Sequence, residues 1–303
     1  MNLEDYWKLK NFIPNEKQEQ AIRHVDGPLF LTAGPGSGKT RVILWRTVNL
    51  IVFHNVNPRN IFLATFTEKA AHQLKEGLRS LLGMITNETG RPFDISPMAI
   101  GTVHSICQDI LIDRGRRFSA DGTRSRAPVL LDSLAQYFRV YRRAYWRELL
   151  NAGGYFNSED IEKDEEQAQR EINTYFTGKD LYSRHVAATN LISIFNRFSE
   201  ENLNVTKVKT KDETLQRILN MYSFYKQSLQ QEKIESVDFS LLQQKAFDKI
   251  TGYDGSKDAY EHIIVDEYQD TNSIQEQIYF ELAKKCKNIC VVGDDDQALY
   301  RFR

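Results

Sequence analysis

Short apolar runs, each closed by a small or charged polar cluster and followed by a helix-like stretch, set the rhythm at both ends of this chain. The runs are Leu29-Phe30-Leu31, Ile61 to Ala64, Met98 to Ile100, His262-Ile263-Ile264-Val265 and Asn288 to Val292. None alternates apolar with polar, so each predicts a strand buried on both faces, as in a parallel sheet. Between them lie helical patterns. One starts behind Asn15, which can cap it and which leads to Gln18, Ala21 and Ile22; another runs from Arg41 to Val52; in a third, Leu74, Leu78, Leu81 and Leu82 mark one face. Strands alternating with helices predict an α/β fold with an open parallel sheet.

From about Asp113 that rhythm stops. A mostly helical stretch runs to about Val208, punctuated by turns at Gly115, Gly122, Gly153-Gly154 and Gly178. After Lys209 the α/β texture returns, with a helix over Leu215 to Leu229 and another that Asp238 or Ser240 can cap. The predicted organisation is a core built from residues 1–112 and 209–303, with 113–208 as a mainly helical insertion.

Composition narrows this modestly. With 303 residues, 41% hydrophobic and 27% charged, the chain is an ordinary globular sequence of about two domains. The formal net charge of −1 announces no global basic field. Locally, nine arginines stand against four acids between Asp113 and Glu148, while Glu159 to Glu171 is acidic. Such blocks are usually solvated faces; a basic side turned to a nucleic acid duplex is the sharper reading. Cys107, Cys286 and Cys290 make neither a disulfide framework nor a zinc site, and no apolar run approaches the ~18 residues of a membrane span. The expectation is a soluble, cytoplasmic protein without membrane contact.

The candidate chemistry sits where the apolar runs end. After the first comes Ala33-Gly34-Pro35-Gly36-Ser37-Gly38-Lys39-Thr40-Arg41, a glycine-rich loop that opens a helix. Such a loop turns backbone N–H groups around the phosphates of a nucleotide triphosphate and adds the helix dipole. Lys39 can reach the β- and γ-phosphates, and Thr40 can offer its hydroxyl to Mg²⁺. Ala33 stands where the strict pattern has glycine. Gln18, just upstream, can read adenine through its amide, although read alone it is only a helix residue.

At the end of the fourth run, Asp266 and Glu267 supply the second half of a P-loop ATPase, Asp266 holding Mg²⁺ and Glu267 polarising the attacking water. Thr65, Phe66 and Lys69 follow the second run as a base-stacking and phosphate-contacting platform, the alternative being that Phe66 is core. Thr102 and His104 follow the third, and a capping or packing role is the blander account of His104. After the last run, Gln297 can bond the attacking water or the γ-phosphate, and Tyr300 and Phe302 alternate with Arg301 and Arg303 as a stacking edge.

Together these residues resemble superfamily 1 DNA helicases of the UvrD/Rep/PcrA type. Asn15-x-x-Gln18-x-x-Ala21, Ala33 to Thr40, Thr65-Phe66-Thr67-x-Lys69-Ala70-Ala71, Gly101-Thr102-x-His104-Ser105, Asp266 to Thr271 and Gly293 to Arg303 match the family's motifs Q, I, Ia, Ib, II and III in order. The resemblance implies a RecA-like P-loop NTPase core with a parallel sheet, interrupted by the helical insertion. It also implies ATP and Mg²⁺ as cofactors and 3′→5′ movement on single-stranded DNA, up to the junction with duplex. Phe66, Tyr300 and Phe302 would be base-contacting aromatics. Val103, Gln73-Leu74 and Phe302 depart from common family residues. The family closes its ATP site with a second RecA-like domain, which this sequence lacks, so the expectation is an N-terminal fragment with near-background hydrolysis. A non-catalytic nucleic-acid-binding or partner-docking module and the helicase part of a helicase-nuclease are the alternatives.

Overall fold

The computed structural model describes residues 2–114, 117–119 and 126–294. In chain order the helices are α1 (Leu3–Leu9), α2 (Glu16–Arg23), α3 (Lys39–Val48), α4 (Glu68–Thr89), α5 (Val103–Ile112), α6 (Ser133–Tyr141), α7 (Arg143–Ala152), α8 (Ile161–Thr177), α9 (Arg184–Glu200), α10 (Glu213–Gln230), α11 (Phe239–Thr251) and α12 (Ser273–Ala283). The strands are β1 (Leu29–Thr32), β2 (Ile61–Thr65), β3 (Ala99–Thr102), β4 (Val129–Leu131), β5 (Ser236–Asp238), β6 (His262–Val265) and β7 (Ile289–Gly293). Among the described residues no helix is long and apolar enough to cross a membrane.

The chain divides into two compact units, one of residues 1–125 and 246–303 and the other of residues 126–245. These bounds fall later than the change of texture at 113 and 208. In the second unit β4 pairs in parallel with β5, Val129 opposite Ser236 and Leu131 opposite Asp238, and α10 packs on α7. Residues 209–245 are thereby held to the helical unit. Within it three arginines of the block find acids: Arg143 bonds Glu162 at 2.9 Å, Arg147 bonds Glu165 at 3.0 Å and Arg139 pairs with Glu232. The acidic stretch on α8 thus supplies counter-ions to the arginines of α7.

The first unit holds a five-stranded parallel sheet in the order β1-β7-β6-β2-β3. The fold is α/β with a parallel central sheet, as the unbroken apolar runs predict. Every residue of β2 and β6 is buried, whereas β1, at the edge, leaves Phe30 59% exposed. Leu74, Leu78, Leu81 and Leu82 of α4 join Ile43 and Trp45 of α3, Leu63 of β2 and Ile264 of β6 in one core. Caps fix where the helices begin. Asn15 and Gln18 close a reciprocal capping box on α2, Thr67 accepts from Ala70 N–H on α4, and Thr102 accepts from Ser105 N–H on α5.

The seating of α2 depends on a buried arginine. Arg46, 2% exposed, donates through Nη1 to Ala21 O at 2.8 Å and to His24 O, and Asn49 Nδ2 donates to Ile22 O at 3.0 Å. These carbonyls end α2 and have no partner within the helix. Burial lowers the Arg46 pKa from its ordinary value, and a guanidinium keeps its charge in proteins. Arg46→Met keeps the bulk but strands two carbonyls, so it is expected to destabilise the fold by about 3 kcal/mol, read from urea unfolding at unchanged slope. A loss below about 0.5 kcal/mol would show that these carbonyls do not need the arginine.

Candidate functional site

Parallel pairing brings the strand ends together. Leu31 of β1 lies opposite Val292 of β7, Val265 of β6 opposite Val291, and Thr65 of β2 opposite Thr102 of β3. The described segments that follow these strands therefore emerge on one edge of one sheet, where open α/β folds bind ligands.

The glycine-rich loop begins as an extension of the ladder, Ala33 N–H donating to Gly293 O at 3.1 Å. Gly36 and Gly38 lie at φ +71 and +84, a region open to glycine and strained for other residues. Ala33 is absent from the residues of positive φ, so its methyl group is sterically ordinary at the position where the strict pattern has glycine. Gly38 caps α3 without any side-chain bond, leaving the first N–H groups of the helix to be satisfied from outside it. That end is a seat for an anion. Lys39 Nζ donates to Ala33 O at 2.9 Å and lies 3.7 Å from the Asp294 carboxylate, spanning the mouth of the loop. Thr40 and Arg41 are exposed beside it, Arg41 stacking over Phe12 at 5.5 Å. A cavity of about 920 Å³ opens here, lined among others by Phe12, Gln18, Ser37, Arg41 and Glu267.

Gln18 is already employed. Its Nε2 donates to Ser37 O at 2.9 Å and its Oε1 accepts from Asn15 N–H at 2.9 Å, tying α2 to the loop. A second amide hydrogen and a second lone pair are left, enough for an adenine edge.

At the end of β6, Asp266 is 6% exposed, and its carboxyl is pushed up to about 6 by burial and by the neighbouring Glu267 charge, against the pull of the Glu267 N–H and of Lys39. A buried carboxylate in this condition suits a cation. No group of three or more potential ligands gathers among the described residues, so a bound Mg²⁺ would take its other oxygens from Thr40, phosphate and water, the habit of that ion. Glu267 sits at φ +54, ψ +44, a left-handed perch for a glutamate. Its Oε2 accepts from Gln269 Nε2 at 2.7 Å, while Gln269 Oε1 accepts from Asp294 N–H at 3.0 Å.

The β2 and β3 ends form the other half of the edge. Thr65 is 1% exposed and its hydroxyl is buried without a partner; Thr102, also buried, donates to Glu68 at 2.9 Å while capping α5. Phe66 is half-buried, Lys69 exposed and His104 half-buried. Side-chain surface at this end therefore comes from Phe66, Lys69 and His104. Burial holds the His104 pKa below its usual 6.5 against the pull of Glu68, so the ring is neutral at pH 7. Gln297, Tyr300 and Phe302 lie outside the described residues. Gln269, Asp294 and Glu68 were missed as contributors: the first two lie inside matched stretches without a role of their own, and Glu68 opens α4 as an ordinary first-turn acid.

A family model described as the UvrD/REP helicase N-terminal domain matches residues 14–303. The chain belongs to this family. It is 29% identical over 297 residues to the ATP-dependent DNA helicase PcrA of Bacillus subtilis, covering 95% of this chain and 34% of that protein. It is 30% identical over 296 residues to a probable DNA helicase II homolog of Rickettsia conorii, covering 95% of this chain and 38% of the relative. With PcrA of Staphylococcus epidermidis it shares 30% over 295 residues, at 95% and 34% coverage. The chain thus spans about a third of the length of the curated relatives it matches.

Two outcomes follow for this UvrD/REP domain. Gly38→Ala places a Cβ at φ +84 and 3.3 Å from Gln18 Nε2, and is expected to cost about 1–2 kcal/mol in thermal unfolding, whereas Gly34→Ala, with open space around its Cβ and no positive φ, stays within about 0.5 kcal/mol. For His104 the unfolded chain takes up its proton near pH 6.5 and the folded chain only at lower pH, so protonation favours unfolding. Relative to His104→Asn, the wild type is expected to lose stability as pH falls through and below 6.5; parallel urea midpoints from pH 7 to 5 would contradict this.

Proposed function

We propose that this chain is the first RecA-like domain, with its inserted helical domain, of an ATP-dependent DNA helicase or translocase. The observation that supports it most is the shared edge: a phosphate loop after β1 and two acids after β6 stand beside an aromatic and basic group after β2 and β3. In this reading the loop from Ala33 to Gly38 wraps the phosphates with backbone N–H groups, and Lys39 neutralises the β- and γ-phosphates. Thr40 and Asp266 would hold Mg²⁺, which supplies charge neutralisation at the phosphates when bound. Glu267 takes the proton of the attacking water, Gln297 senses the γ-phosphate, and Gln18 and Arg41 select and flank adenine.

Phe66, Lys69 and His104, joined by Tyr300 and Phe302, carry single-stranded DNA, stacking its bases and gripping its backbone, while the buried Thr65 and Thr102 support them from beneath. His104, being neutral, contributes hydrogen bonding or stacking, while Lys69 provides charge. The direction 3′→5′, action at a single-strand/duplex junction and a cytoplasmic setting come from the family resemblance. The relatives named ATP-dependent DNA helicases are about three times as long, and in the proposal a second RecA-like domain of the parent protein closes the cleft and completes the DNA track.

In the full-length protein Glu267→Gln is expected to lower DNA-stimulated ATP hydrolysis on the order of 10²–10⁴-fold while nucleotide still binds; equal activity would refute an ATPase motor. The 303-residue chain alone is expected to hydrolyse ATP near background, since an arginine finger alone contributes roughly 10³–10⁵ in rate. Robust DNA-stimulated hydrolysis by it would overturn the need for a second domain.

A further inference from the structure

We infer that Gln269 is the positioning residue of this site, holding the Glu267 carboxylate against the exit of β7; the inference rests on the ATP-hydrolysing reading above. Glu267 occupies a left-handed backbone conformation, at a cost of about 1–2 kcal/mol, and its flexible side chain needs an external anchor to keep one direction. Gln269 provides it. Its Nε2 donates to Glu267 Oε2 at 2.7 Å, a charge-assisted bond, and its Oε1 accepts from Asp294 N–H at 3.0 Å. The orientation of the amide is settled by chemistry, because the carboxylate can only accept and the peptide N–H can only donate.

The second bond gives the first its meaning. Asp294 is the residue whose carboxylate lies 3.7 Å from Lys39 Nζ, so one amide joins the water-activating acid after β6 to the backbone bearing the counter-ion of the phosphate-binding lysine. Gly293 leaves room for the approach, since a Cβ there would stand 3.0 Å from Gln269 Oε1 and press on it. Gln269 is half-buried, so water can take over its two bonds when it is replaced, and the fold does not depend on it. Its contribution is direction: an acid misplaced by about 1 Å loses on the order of a hundredfold in rate without loss of substrate binding.

The test uses Gln269→Met, which keeps length and removes the amide, in the full-length protein, with single-turnover γ-phosphate cleavage, affinity for a fluorescent ATP analogue and thermal unfolding measured together. The expected result is a cleavage rate lower by about tenfold to a hundredfold, with affinity and unfolding temperature unchanged, and little further loss when the substitution is added to Glu267→Gln. A rate within about twofold of wild type, beside a Glu267→Gln variant that is inactive, overturns the role of Gln269 and leaves the ATPase reading intact. Affinity or stability falling in step with rate, or full additivity with Glu267→Gln, overturns it as well, in favour of a structural role. A fully active Glu267→Gln variant removes the ATPase reading itself.

Discussion

Because β1, β7, β6, β2 and β3 all run the same way, their carboxyl ends share one edge, and residues far apart in the chain meet there. Lys39, Thr102 and Asp266 belong to different strand-ending turns, yet the ladder fixes their spacing as rigidly as the 4.7–4.9 Å separation of neighbouring strands allows. Backbone bonds continue past the strands to close gaps in this edge. Ala33 N–H reaches Gly293 O and Asp266 N–H reaches Ala64 O, so the phosphate loop and the acidic turn are both stitched to the neighbouring strand before any side chain takes part.

Several features on that edge leave backbone or charge open to a ligand. Gly36, Gly38 and Glu267 adopt left-handed backbone conformations, the start of α3 offers N–H groups with no side-chain cap, and Asp266 carries a carboxyl disfavoured by burial. The uncapped helix start and the buried carboxyl are arrangements that an anion and a cation relieve. The support lies one layer back, where Arg46 and Asn49 bind the last carbonyls of α2 and Gln18 ties that helix to Ser37 O. The loop is shaped as much by this buried scaffold as by its own glycines.

Much of this was legible in the sequence, for a physical reason. Unbroken apolar runs such as Ile61 to Ala64 and His262 to Val265 have to be buried on both faces, which selects a parallel sheet and places whatever follows them on one edge. Asn15 declared itself as a helix cap by type and position, whereas the reciprocal bond from Gln18 emerged only in the fold. The parallel pair β4 and β5 was not legible, because three-residue strands carry no periodicity and their partners lie a hundred residues apart. The arginine block looked basic for a similar reason: sequence counts charges along the chain, while Arg143 and Arg147 find Glu162 and Glu165 across a helix interface. Nor does an apolar run reveal how deep its last residue lies, and so Thr65 reads as a surface hydroxyl although the fold buries it.

The burial of Thr65 and Thr102 also bears on how the two halves of the edge can influence each other. A ligand over β2 and β3 meets Phe66, Lys69 and His104, yet beneath them the strand ends are packed solid, and packed elements shift as units rather than deform. Asp266 is held to Ala64 O by its own amide, and Ala64 directly precedes Thr65 and Phe66. The β2 end and the acidic turn are therefore joined by one backbone hydrogen bond, one residue away from Thr65.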